Sequence, residues 1–215
     1  MNGYKSLMLV LMCLVFSSLC IGASLDYADL SLTELTTLAG LGDAAAQCKL
    51  GLAYYQGKGV AIDPQQALNW FSLASDQGNA IAIYHLGIIY DQGKGVSIDY
   101  AKAAAYYEIA ANMGLAQAQF QIGLMYAKGQ GVTQNDELAY YWSLLACSIA
   151  NTTQFEEYAK FRDLALGKLN PEQKSKIQED VKAWKPKPVP KKTPNSIEKQ
   201  QKTQEQIDAE IRSLI

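Results

Sequence analysis

The chain has 215 residues, of which 49% are hydrophobic and 19% are charged. This composition excludes an intrinsically disordered protein and allows a sizeable core, and the net charge of −2 gives no global indication of nucleic-acid binding. The charge is unevenly placed, because residues 24–184 carry 11 Lys/Arg and 17 Asp/Glu whereas residues 185–215 carry 7 and 4. We therefore expect an acidic folded part and a basic C-terminal tail.

Residues 1–23 have the pattern of an export signal. Lys5 is the single charged side chain, residues 7–16 are uninterruptedly apolar, and small or polar residues lead to Ala23. A retained membrane anchor is the alternative, although a span needs about 20 apolar residues and the stretch from 7 to 23 is shorter and contains two serines. We expect cleavage near Ala23, a periplasmic or secreted protein, and no stable membrane insertion afterwards.

Residues 24–42 are expected to form an N-terminal capping helix. Ser31-Leu32-Thr33-Glu34 has the pattern of a capping box, in which the Ser and Glu side chains satisfy each other's backbone N–H groups. The pattern predicts a short helix that ends near Ala39.

The central region consists of three units of 36 residues that align without a gap: 43–78, 79–114 and 115–150. The first half of each unit has a small residue, an aliphatic residue and a tyrosine at intervals of four, which places them on one stripe of a helix. These residues are Ala46, Leu50 and Tyr54, then Ala82, Leu86 and Tyr90, then Ala118, Ile122 and Tyr126. Glycine recurs inside the same helix at 51, 87 and 123, where we expect it to allow close approach of a partner helix.

A turn and a second helix complete each unit. The turn contains paired glycines, as in Gly57-Lys58-Gly59-Val60, which permit positive φ angles. Asp63, Asp99 and Asn135 are then placed to cap the second helix. That helix repeats alanines around a bulky ring, as in Ala67, Trp70 and Ala74.

These residues, in this order, resemble the Sel1-like repeat family of tetratricopeptide-related solenoids. The resemblance covers residues 43–150 and implies an all-α fold, an α-solenoid of three helix-turn-helix repeats with helical caps at both ends. The chain departs from the pattern at Cys48, Gln130 and Ala150, and Ala150 indicates a different exit from the third repeat.

Residues 151–184 are expected to form C-terminal capping helices, the second of which begins at Asn170-Pro171-Glu172-Gln173. Residues 185–215 form a Lys/Pro-rich linker and a polar tail that we expect to be extended and solvated. Ile197, Ile207, Ile211 and Leu214 have loosely helical spacing in this tail, so a helix that forms on a partner and a frayed end both remain open.

The sequence gives little indication of catalysis, and we predict no catalytic, cofactor-binding or metal-binding residues. The one histidine, His85, is at a variable position of the repeat and is expected to be a solvated helix residue, and Cys48 and Cys147 to be buried free thiols. Ser196-Ile197-Glu198-Lys199 matches the Ser-x-x-Lys pattern of penicillin-binding enzymes. Because cysteine-rich relatives in the Sel1-like family are described as β-lactamases, a β-lactam or cell-wall hydrolase is the alternative function.

The resemblance implies that the first helix of each repeat lines the concave surface of the stack. Candidate partner-binding residues on that face are Leu52, Tyr55, Ile88, Asp91 and Leu124, with Tyr84 and Phe120 expected in the core instead. Their aliphatic and aromatic character suits a peptide or a helix of another protein. The sequence therefore predicts an exported adaptor that binds a protein segment and no nucleic acid.

Overall fold

The computed structural model describes residues 30–188, and this part of the chain forms nine α-helices and no strand. The all-α expectation is confirmed for these residues, while the export signal (1–23) and the tail from residue 189 lie outside them. The helices are α1 (Leu32–Gly40), α2 (Ala44–Gln56), α3 (Pro64–Asp76), α4 (Ala80–Gln92), α5 (Tyr100–Asn112), α6 (Ala116–Lys128), α7 (Asp136–Ile149), α8 (Thr152–Leu166) and α9 (Pro171–Ala183). In each repeat the first helix (α2, α4 or α6) packs on the second (α3, α5 or α7).

The second helix of each repeat begins at the capping residue that the sequence predicts. Asp63, Asp99 and Asn135 accept hydrogen bonds from backbone N–H groups in the first turn, and each such cap contributes about 1 kcal/mol. The same residues donate their own N–H groups to the carbonyl oxygens of Tyr54, Tyr90 and Tyr126 at 2.9–3.0 Å. One residue in each repeat therefore fixes both the start of the second helix and the reversal of chain direction after the first helix.

The two glycines of each turn have different structural roles. Gly57, Gly93 and Gly129 end the first helices with left-handed backbone. The second glycine of the turn also leaves room for the preceding repeat, because a Cβ on Gly95 would lie 2.8 Å from Pro64 and one on Gly131 would collide with the Tyr100 carbonyl. Gly59 has no preceding repeat, and a Cβ there would meet nothing within 4 Å.

In the first two repeats the helical glycine faces an aromatic ring of the second helix. A Cβ on Gly51 would lie 2.8 Å from the Phe71 ring, and one on Gly87 would lie 2.6 Å from the Tyr107 ring. The expectation of close helix approach is thus confirmed. The third repeat has Ser143 at the equivalent position, and there the Phe161 ring of α8 approaches the glycine, 3.2 Å from a Cβ on Gly123.

Helix α1 caps the N-terminal end of the stack, and it takes the position that the last turns of a second helix have in front of a later repeat. Its capping box at Ser31 and Glu34 is present, and the helix ends at Gly40, close to the predicted end. The buried Gln47 amide donates to the Ala39 carbonyl at 3.1 Å. Two repeats later the buried Gln119 amide donates to the Ala111 carbonyl at the same distance. Ala39 of α1 therefore supplies the acceptor that α5, the second helix of the second repeat, supplies to the third repeat.

The C-terminal cap differs from a fourth repeat. Ala150 has extended backbone, which confirms the different exit expected there, and Asn151 caps α8. Helix α9 begins at the expected capping box of Asn170, but it packs mainly on α7 instead of pairing with α8. Its Ile177 is buried in a cluster with Ala139, Tyr140, Ala165 and Leu169.

The glycine–ring contact is testable by adding a single methyl group. Alanine is favoured over glycine by about 1 kcal/mol in an isolated helix. Gly87→Ala nevertheless should lower the free energy of unfolding by roughly 1–2 kcal/mol, because the overpacking against Tyr107 outweighs that gain. Urea unfolding followed by circular dichroism measures the change.

Gly40→Ala provides the control, because a Cβ at Gly40 would meet nothing within 4 Å. This variant should be as stable as the wild type or slightly more stable. Equal stability of the Gly87→Ala and Gly40→Ala variants would show that the ring does not require the glycine.

Candidate functional site

Three aliphatic side chains form a row along the exposed side of the first helices. Leu52, Ile88 and Leu124 are at the same position of successive repeats, and each is half-buried. Each packs on the hydrophobic cluster beneath it, while Leu50, Leu86 and Ile122 two positions earlier are almost fully buried. We call the surface that carries Leu52, Tyr55, Ile88, Asp91 and Leu124 the first-helix face.

Tyr55 is held in place by the neighbouring repeat. Its hydroxyl donates to the Gln92 side-chain oxygen at 3.1 Å and accepts from the Lys94 ammonium at 2.7 Å. The Lys94 nitrogen lies 4.3 Å from the centre of the same ring, a distance typical of a cation–π contact. The ring is half-buried, so it offers a fixed aromatic surface rather than a freely rotating one.

Asp91 supplies a carboxylate to the first-helix face. The Tyr107 hydroxyl donates to its Oδ2 at 3.4 Å, and Asp91 is half-buried. Burial, and secondly the charge of Asp91, raise the pKa of the Tyr107 phenol, so this hydroxyl stays protonated and remains a donor. A carboxylate has about four acceptor positions, which leaves it able to accept further N–H groups from a lysine or arginine.

His85 lies among aromatic rings and is not the solvated residue that the sequence suggested. Its ring stacks on Phe71 with centroids 5.0 Å apart and planes 9° apart, and Tyr55 and Tyr84 are also in ring contact with it. Burial lowers the pKa of the imidazolium to about 4, and Nδ1 is buried without a hydrogen-bond partner in the described structure. His85 therefore acts as a neutral flat ring between the first two repeats. Single-sequence reasoning missed this because the equivalent residues are Lys49 and Gln121.

Helix α8 extends the first-helix face beyond the third repeat, a contribution that the sequence did not indicate. A depression of about 460 Å³ lies between α6 and α8. It is lined by Phe120, Thr153, Glu156, Glu157, Lys160, Phe161 and Leu164. Leu164 is 72% exposed, which is unusual for a leucine in a helix that also supports the core. Phe120 is only 8% exposed and stacks on Tyr158, as expected for a core residue, whereas Tyr84 is half-buried.

The described residues provide few reactive groups. Cys48 and Cys147 are buried free thiols, as expected, and burial raises the pKa of the Cys48 thiol to about 12, which disfavours the reactive thiolate. Within residues 30–188 no cluster of three or more His, Cys, Asp or Glu side chains could hold a metal ion. None of the helices in that range has the length and apolar character that crossing a membrane requires.

Comparison with known proteins identifies the repeat. The family model described as "Sel1 repeat" matches residues 44–79, 80–115 and 116–150. A crystal structure of a Sel1 repeat protein from Oxalobacter formigenes has 32% sequence identity and a TM-score of 0.53, and the match covers 60% of this chain and 97% of that one. The chain belongs to the Sel1 repeat family.

Two further solved structures are similar to this Sel1 repeat protein. A protective antigen of uropathogenic Escherichia coli with an SLR fold is 25% identical, with a TM-score of 0.48 over 79% of this chain and 43% of that one. Cysteine rich protein B of Helicobacter pylori is 21% identical, with a TM-score of 0.47 over 65% of this chain and 98% of that one. No curated protein matches the sequence. Sel1 repeats mediate protein–protein interactions, and proteins built from them are typically scaffolds without enzymatic activity.

The burial of His85 makes stability depend on pH. The unfolded side chain titrates near 6.5 and the folded one near 4, so below pH 6.5 the unfolded chain binds a proton that the folded chain does not. The stability from neutral His85 is complete above pH 6.5 and is lost as the pH falls toward 4, by on the order of 2–3 kcal/mol.

The His85→Gln variant, which installs the residue found at position 121, should lose less stability than the wild type between pH 6.5 and pH 4.5. Urea unfolding at both pH values measures the two losses, and the difference between the proteins isolates His85 from the carboxylates that titrate in both. Equal losses would mean that His85 titrates in the folded state as it does in the unfolded chain.

Proposed function

We propose that this protein is an exported adaptor that binds a segment of another protein on the first-helix face. The observation that carries the proposal is the row of Leu52, Ile88 and Leu124, which stays partly exposed at equivalent positions of all three repeats. The core beneath already contains Leu50, Leu86 and Ile122. Burying partly exposed aliphatic side chains contributes about 25 cal/mol per Å², so such a row favours an apolar ligand.

The polar residues beside the row favour an extended or helical segment with a positive charge. Asp91 lies one helical turn from Ile88 and has remaining acceptor capacity. Tyr55, braced by Gln92 and Lys94, provides a rigid ring on the same surface, and rigid aromatic side chains bind with little loss of conformational entropy. The proposed partner therefore combines aliphatic residues with a lysine or arginine.

Export supports an envelope or extracellular setting for this interaction. The proposal of a periplasmic or secreted protein rests on the charge, apolar run and small residues of segment 1–23.

Ile88→Glu tests the proposed face directly. The charge of the glutamate would be buried against an apolar ligand, which weakens binding. Recovery of the specific partner should fall by about tenfold or more, which corresponds to a loss of at least about 1.4 kcal/mol of binding free energy. The measurement is cross-linking in the native envelope, affinity purification of the tagged full chain, and quantitative mass spectrometry. Circular dichroism and thermal melting verify the fold of the variant.

Ile62→Glu is the matched control, because Ile62 is 66% exposed in the turn of the first repeat and lies outside the first-helix face. A protein recovered by the wild type and the control but lost from Ile88→Glu supports the proposed face. Recovery of the same proteins by all three chains would contradict it.

The adaptor hypothesis also predicts that the purified mature chain does not hydrolyse nitrocefin above the buffer rate. The alternative hydrolase rests on Ser196, which lies outside the described residues and has no companion Ser-Asp-Asn or Lys-Thr-Gly motif in the sequence. Absorbance at the product wavelength measures turnover. Hydrolysis that disappears in the Ser196→Ala variant would establish the hydrolase instead.

A further inference from the structure

The C-terminal chain follows the second helices of the repeats in reverse order. Helix α9 covers α7 in the third repeat. The next residues then reach the second repeat, where the Lys187 backbone N–H donates to the Asn112 carbonyl at 2.7 Å. Pro186 and Trp184 lie within 4 Å of the place where a Cβ on Gly114 would be. The chain thus moves from the third repeat to the second before it leaves the described region at residue 188.

The described part of the linker, residues 185–188, is exposed, as expected. Its Lys187 backbone N–H nevertheless fixes it to the end of α5 through the hydrogen bond to Asn112. Trp184 follows the last helical residue of α9 and packs with Val181 on the main hydrophobic cluster.

The outer side of the second helices becomes progressively less covered in the same direction. The equivalent residues Leu145, Ile109 and Leu73 are 2% exposed, half-buried and 44% exposed, respectively. We call the surface that carries Leu73, Asp76, Glu108, Ile109 and Asn112 the second-helix face. Its covered part ends where the described chain ends.

An open depression lies at this end point. It has a volume of about 330 Å³ and is lined on one side by Ala105, Glu108, Ile109 and Asn112 of α5 and on the other by Lys187 and Pro188. The chain therefore leaves the described region alongside an apolar surface of the second repeat that it covers only in part.

We propose that residues 189–215 continue along the second-helix face and cover Leu73 in the first repeat. Neighbouring helices lie on the order of 10 Å apart, which three or four extended residues span at about 3.3 Å each. The 27 residues from 189 to 215 are ample for this distance. The protein's own tail is the proposed occupant, because residues 184–188 already follow this surface and the described region stops beside its uncovered part.

The composition of the tail fits this surface. Lys191 and Lys192 come three and four residues after Pro188, and the second-helix face carries the exposed acidic residues Asp76 and Glu108. Ile197, Ile207, Ile211 and Leu214 supply apolar side chains that can shield Leu73. This tail contact is separate from partner binding, since it uses the second helices and the proposed partner uses the first.

Photo-cross-linking in the full chain tests the proposal. With p-benzoylphenylalanine in place of Leu73, irradiation should give intrachain cross-links to peptides from 189–215, identified by mass spectrometry. The same group in place of Leu52, on the first-helix face, is the control and should give none. Absence of tail peptides at position 73, or cross-links only between two copies on a denaturing gel, would overturn the proposal.

A second measurement uses the full chain with Leu73→Glu. Trypsin cleavage at Lys199 and Lys202 should be about tenfold faster than in the wild type, because proteolysis follows the population of the undocked tail. Ile62→Glu, at a 66% exposed position in the turn of the same repeat, should leave the rate unchanged. Equal cleavage of Leu73→Glu and wild type would refute tail docking while leaving the proposed partner site on the other face untouched.

Discussion

The structure depends on the contact between a glycine of each first helix and an aromatic ring of a later helix that packs against it. Gly51 and Gly87 leave no room for a Cβ beside Phe71 and Tyr107, so the two helices of a repeat meet at a distance that other residues do not allow. That spacing determines which residues are buried. Leu50 and Leu86 enter the core almost completely, while Leu52 and Ile88 stay at its edge and remain available on the first-helix face.

The third repeat shows how the same requirement is met by a different residue. Ser143 replaces the ring, and Phe161 of α8 fills the space beside Gly123. As a result α8 belongs to the third repeat as much as to the cap, and Phe120 stacks on Tyr158 of that helix. The depression next to Leu164 is a consequence of this arrangement, because α8 must lie close enough to α6 to supply the ring.

Much of the fold could be predicted from the sequence because periodicity and caps are local signals. The repeat length placed Asp63, Asp99 and Asn135 at helix starts, and Ser31 and Asn170 marked the beginnings of α1 and α9. The environment of His85 and the position of α9 on α7 could not be predicted. Both depend on which elements meet across the stack, and neither position repeats. The candidate residues of the first-helix face were found by their spacing, whereas the contribution of α8 had no such signal.

Helix α1 offers the first repeat the same acceptor that a second helix offers the third, since Gln47 binds the Ala39 carbonyl as Gln119 binds that of Ala111. The first and third units consequently make the same contact with the element on their N-terminal side, which is the cap for one and a repeat for the other. Whole units of 36 residues could be gained or lost between α1 and the first repeat without redesigning either boundary. The architecture thus permits evolution to adjust the length of the array by duplication, while the specialised α8–α9 end remains intact.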